Sequence, residues 1–314
     1  MQMRKALALA VLATAIGRVA LAQSAGDGSH DEIFDQISAE QSHLERMQSA
    51  GEDSFTIAHA SQRLGQLCES AGMLAQAEVF LQRAIDLYPV SASAERMAAR
   101  NDLATLLATV GEASKAERED RIVLAEAEKA GDLGAISLAW VNLADVEIWR
   151  KHFPKAVDYA RKAVLLEETA SSLPTIGRVA AEQALGFALA GDRQCDLAIP
   201  VLQGVVALSK SAYGEESTEA GINQYVLGHA AWQCGDPADA AVWMQQGLQR
   251  LRSILESKEI IYLRAVYLHA TEEYATLLRE NGRVEEAATV EREVRMANAS
   301  VDVHTMMPVS ASLH

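Results

Sequence analysis

One spacing recurs along this chain and narrows its fold more than any other feature. A large residue is followed by a small one, and twelve residues beyond the small one stands an alanine. Leu64-Gly65 leads to Ala77, Leu103-Ala104 to Ala116, Leu143-Ala144 to Ala156, Leu185-Gly186 to Ala198, Leu227-Gly228 to Ala240, and Tyr274-Ala275 to Ala287. Seven residues further on come Ala84, Val123, Ala163, Val205, Gly247 and Val294, all small or β-branched. Successive units are 39, 40, 42, 42 and 47 residues apart. A period of that length marks a chain built by stacking one supersecondary unit on the next.

Helix physics explains the spacing. Each unit holds two segments of helical apolar periodicity separated by a turn, marked by Gly72, Gly111, Gly235 or Gly282 in four copies. A glycine there can take the left-handed conformation that closes a helix and satisfies its last carbonyls. In "AGMLAQAEVFLQRAIDLYP", Ala77, Leu81, Ala84 and Ile85 fall on one face. The small residue of the first helix and the alanine of the second let the two axes approach closely, and the small residue seven further on is expected to let the next unit dock. Pro89 ends the second helix, since it cannot continue one. The spacing therefore predicts an all-α solenoid of about six antiparallel helix pairs over 51–298, each pair burying its apolar face only against its neighbours. Upstream, Ile33, Ile37, Leu44 and Met47 share a face and predict a capping helix within 23–50. Residues 299–314 lack periodicity and read as a loose tail.

Composition agrees. Aromatics are 5% and prolines six, which suits helices packed through Ala and Leu better than a sandwich or barrel. A net charge of −15 argues against a nucleic-acid partner, which needs a basic surface. The first 22 residues read separately. "MQMRK" is a short cationic start, "ALALAVLATAI" an apolar run too short to span a bilayer, and Ala20 and Ala22 offer a small-residue cut before Gln23. That plan predicts a signal peptide over 1–22 and an exported protein, periplasmic or secreted; an uncleaved anchor is the alternative. Cleavage would leave no stable membrane span.

The matched positions resemble the tetratricopeptide repeat (TPR), in the longer units of about 42 residues found in kinesin light chains. Leu64, Gly65, Gly72, Ala77, Leu81, Ala84 and Pro89 match its signature, and Trp140 falls where the family favours Trp. The resemblance spans about 54–298 and implies a right-handed superhelix whose first helices line a concave face that binds extended peptide or protein. The second copy departs most, with Asp120 where a bulky apolar residue is usual, which puts its second helix's fit in question. The implied inner stripe carries no lysine at the positions three before, one after and four after each small residue, so it lacks a basic clamp for a peptide carboxylate. In its middle stand Val141, Ile148, Gln183, Phe187, Tyr225, His229 and Trp232, read as an apolar groove with Gln183 and His229 available to a ligand backbone. For Val141 and Ile148 the simpler reading is core between adjacent helices.

Chemistry is not written here. There is no HExxH, phosphate-binding Gly loop, Gly-x-Ser-x-Gly elbow or CxxC, so no catalytic, cofactor or metal residues are expected. Adjacent pairs such as Glu272-Glu273 point to different helix sides and read as solvated surface. Twelve helices could instead close into an α/α toroid of the carbohydrate-active kind, but opposed carboxylates and aromatic platforms are not in evident supply. Cys68 reads as a small core residue. Cys195 and Cys234 sit at the turns of consecutive units, which are neighbours in a solenoid; they could bridge, or remain two thiols. The reading is a non-enzymatic scaffold for a protein or peptide, with a self-assembling homo-oligomer as the alternative.

Overall fold

A computed structural model describes residues 30–170, 172–257 and 261–299. The leader expected over 1–22, and the tail beyond Ala299, lie outside them. Thirteen helices make up the described chain: α1 His30–Ala50, α2 Ser54–Ser70, α3 Leu74–Leu87, α4 Ser93–Thr109, α5 Ala113–Ala130, α6 Leu133–Trp149, α7 Phe153–Thr169, α8 Thr175–Gly191, α9 Cys195–Tyr213, α10 Thr218–Gln233, α11 Pro237–Ser257, α12 Ile261–Glu280 and α13 Val284–Ala299. From α2 onward they form six antiparallel pairs, each helix packed on the next in sequence.

The small-residue positions are where paired helices touch. A Cβ on Gly65 would lie 2.8 Å from Leu81 Cγ, and one on Gly186 2.5 Å from Leu202 Cγ. At Gly228 the obstacle is backbone, with Met244 N at 2.6 Å. The six alanines of the second helices, from Ala77 to Ala287, are all fully buried. Around these contacts Leu64, Leu81, Leu143 and Leu202 are sealed from water, each such burial contributing about 1.5–3 kcal/mol. Gly247 departs from expectation. A Cβ there would meet Gly221 O at 2.7 Å and Tyr225 N at 2.7 Å, so it admits its own unit's first helix rather than the next unit.

One turn closes all six first helices. Gly72, Gly111, Gly235 and Gly282 take positive φ, and in the third and fourth units Lys151 and Arg193 take the same conformation, each at φ 62°. In every copy the left-handed residue donates its N–H to the carbonyl three back, and the next residue donates to the carbonyl five back, as Gly72 to Glu69 and Met73 to Cys68. This double closure satisfies carbonyls that a helix end leaves bare.

The units stack with first helices inward. α2, α4, α6 and α8 each contact the next first helix directly, whereas second helices do not approach one another to that degree; α10 reaches α12 through side chains of Tyr225 and Trp232. α1 covers the open end through buried Ile37 and Leu44 and an Arg63–Glu40 ion pair at 3.0 Å. Asp120 does not break α5. It is 1% exposed and accepts a hydrogen bond from Asn142 Nδ2 at 3.2 Å, so a polar contact replaces the apolar one usual there. Among the described residues only α9 is long and apolar enough to cross a bilayer, and it packs between α8 and α10.

Candidate functional site

The inner layer is knit by side chains that reach one unit onward. Gln62 and Gln66 of α2 each donate to Asp102 Oδ2 of α4 at 2.8 Å. Asn142 of α6 donates to Asn101 Oδ1 of α4 at 2.7 Å. Farther along, Tyr225 Oη of α10 lies 2.8 Å from Glu273 Oε2 of α12, and Trp232 Nε1 donates to Glu280 Oε2 at 3.0 Å. Each bond skips the intervening second helix, so the pairs recur at the repeat length.

These contacts correct the expected groove. Val141, Ile148, Gln183, Phe187, Tyr225 and His229 are all buried, Tyr225 completely, and Trp232 alone keeps part of its surface. The rings of Phe187 and His229 meet at 5.9 Å, and those of His229 and Trp232 edge to face at 5.7 Å. An inner helix has its own partner on one side and first helices on two others, so the stripe one hairpin would leave bare is covered by the next. Burying Tyr225 is tolerated because its hydroxyl reaches a carboxylate.

Glu273 is the second correction. It is 7% exposed rather than solvated. Burial alone would raise its carboxyl, but the neighbouring His269, His229 and Tyr225 outweigh that and hold it below the usual range. His229 beside it is pushed down by burial.

A second polar centre lies between α5 and α6. Burial pushes Asp120 up to about 8, with repulsion from Asp145 adding to it, and burial takes Asp145 up to about 7. Ion pairs ring this centre: Glu119 with Arg100, Glu117 with Arg121 and Arg150, and Glu147 with Lys155 at 2.6 Å. The sequence carries the signal, since polar residues recur two or three places before the small residue at Gln62, Asn101, Asp102, Asn142, Gln183 and Glu273. No group of three or more metal-binding side chains gathers among the described residues.

Several inner side chains are buried without a partner for a polar atom. They include Asp145 Oδ1 on α6, Gln183 Nε2 on α8 and His229 Nδ1 on α10, three consecutive first helices. Cys195 and Cys234, at the turns of the fourth and fifth units, form a disulfide with Cα atoms 5.7 Å apart. Arg193 also donates to Gln233 O across the same junction. Cys68 is buried and free.

No family model and no curated protein sequence matches the chain. Solved structures do. The apo form of RapI aligns with TM-score 0.67 at 14% identity, covering 86% of this chain and 93% of that one. A Rap protein complexed with Competence and Sporulation Factor aligns with TM-score 0.63 at 15% identity, covering 86% and 71%. Kinesin-light-chain TPR-like repeats from Podosopora anserina align with TM-score 0.50 at 18% identity, covering 68% and 98%. With these likenesses, the six hairpins and their shared turn, the chain folds as an all-α TPR-like helical-repeat solenoid.

Proposed function

We propose that this protein is an exported, non-enzymatic scaffold that binds an extended peptide or protein segment along its inner helices. One observation carries the reading: a Rap protein of the same fold was solved with Competence and Sporulation Factor. The inner stripe itself is buried, so a ligand meets its exposed margin. The partly exposed Trp232 gives an apolar contact at the end of the same stripe. Export rests on the leader plan of residues 1–22 and agrees with the Cys195–Cys234 bridge, which persists best in oxidising compartments.

The test is retention of random-sequence peptides on the immobilised protein, compared with a Trp232→Ala variant. We expect retention that the substitution reduces about tenfold or more, the loss of one aromatic anchor. A stable homodimer by light scattering that retains no peptide overturns the reading in favour of self-assembly. Mass spectrometry of exported protein should find a chain beginning near Gln23; an intact Met1 on cytosolic protein overturns export.

A further inference from the structure

α9 and α10 run antiparallel through the short turn at 214–217, and their register is set by a buried hydrogen bond from Asn223 Nδ2 to Ser209 Oγ at 2.7 Å. One helical turn nearer the connection on each strand of this pair stand Tyr213 and Glu219, so the register places them opposite each other. Glu219 is 1% exposed, and neither of its carboxylate oxygens has a hydrogen-bond partner. Tyr213 Oη and Asn223 Oδ1 are likewise buried without one. Of the nearby basic side chains, Lys210 pairs with Glu215 at 3.5 Å, and Arg250 of α11 faces Glu216 at 3.6 Å with its Nε making no hydrogen bond. Four oxygens able to accept therefore lie unmatched at this junction, with no cation bonded to the carboxyl.

A buried carboxyl is ordinarily paired or hydrogen-bonded, because desolvation without compensation is costly. Protonation alone does not resolve this site, since neither Tyr213 Oη nor Asn223 Oδ1 makes a hydrogen bond to the Glu219 carboxyl. A cationic N–H group resolves it. An ammonium has three donors and a guanidinium five, enough to serve both Glu219 oxygens and either Asn223 Oδ1 or Tyr213 Oη. The site borders the surface at the exposed Gly214, Glu215 and Glu216.

We propose that Glu219, with Tyr213 and Asn223, is a subsite for the cationic nitrogen of a bound peptide, a lysine or arginine side chain. This rests on the peptide-binding reading above and adds its charge preference. The lysine-free inner stripe and the net charge of −15 agree with a basic ligand.

The experiment uses the full chain, immobilised, and hexapeptide pools with Lys, Arg, norleucine or Glu fixed at one position, each with a free or an acetylated N-terminus. Lys- and Arg-fixed pools should be retained about tenfold better than norleucine-fixed pools, as a charge-assisted pair replacing an apolar contact implies. That preference should vanish in Glu219→Gln, shrink in Tyr213→Phe and survive in Glu215→Gln. A preference seen only with free N-termini also supports the subsite and places the terminal ammonium in it. Equal retention of all pools overturns this proposal and leaves the peptide-binding reading standing; a preference that survives Glu219→Gln overturns it as well. No retention of any pool overturns both. If Glu219→Gln does not fold by circular dichroism, Tyr213→Phe decides, and an unchanged preference there overturns the assignment.

Discussion

Lys151 and Arg193 hold a backbone conformation that the other four units give to glycine, each at φ 62°. A side chain there crowds the following carbonyl, whereas glycine does not. Lys151→Gly and Arg193→Gly should each stabilise the protein by about 0.5–1 kcal/mol in urea unfolding, while Gly282→Ala should cost a similar amount. Asp120 and Asp145 set a different residue-scale expectation. Both carboxyls titrate higher in the folded protein, about 8 and about 7, than the 3.8 of an unburied aspartate. The unfolded chain therefore loses these protons first, and stability contributed by the neutral groups falls as pH rises from about 4 to about 8. Asp120→Asn removes one of these ionisations and keeps a partner for Asn142. Thermal melts of the two proteins should diverge in the variant's favour between pH 5 and pH 8. Parallel melting curves across that range would show that Asp120 does not titrate there.

At the scale of helices, glycine means different things at different places. Gly228 lets α10 and α11 touch through backbone, since an added Cβ would sit 2.6 Å from Met244 N. Gly228→Ala should cost about 1–3 kcal/mol, the range for overpacking a core that cannot yield. Gly204, inside α9, has nothing within 4 Å of an added Cβ. Gly204→Ala should instead stabilise by about 0.5–1 kcal/mol through helix propensity alone. Denaturant midpoints of the two variants moving the same way would contradict this assignment of contacts. The disulfide acts between elements too, joining the start of α9 to the end of α10 across a separation of 39 residues. Loop-closure entropy for that span gives about 3–4 kcal/mol, so reduction should lower the melting temperature markedly. Without reductant, only Cys68 should react with a thiol reagent, and only after denaturation, because burial pushes its pKa to about 11.

Across the whole molecule the apolar core is uneven. One cluster joins α1 to α4 with Ala116 of α5 and Val146 of α6, another joins α8 to α13 with the end of α6 and the start of α7, and two small ones bridge them around α5, α6 and α7. Stacked repeats couple mainly to their neighbours, so the stretch with the least apolar burial opens first. Amide exchange in α5 should run about tenfold or more faster than in α10; uniform protection from α2 to α12 would show a single cooperative unit. The sequence by itself determined the six hairpins, their close contacts and four of the six turns, because Gly65, Gly72 and Ala77 and their counterparts act through local geometry that one unit contains. It also placed Cys195 and Cys234 at adjoining turns, since equal repeats bring equal positions together. Only the tertiary structure decided that Tyr225 and Phe187 are core, that Glu273 is a buried partner rather than a solvated surface residue, and that Glu219 is enclosed without a cation. The inward stripe looks the same in a sequence whether it faces solvent or the next first helix. What separates the two is how far one unit turns relative to the next, and that angle is fixed by contacts between units some 40 residues apart.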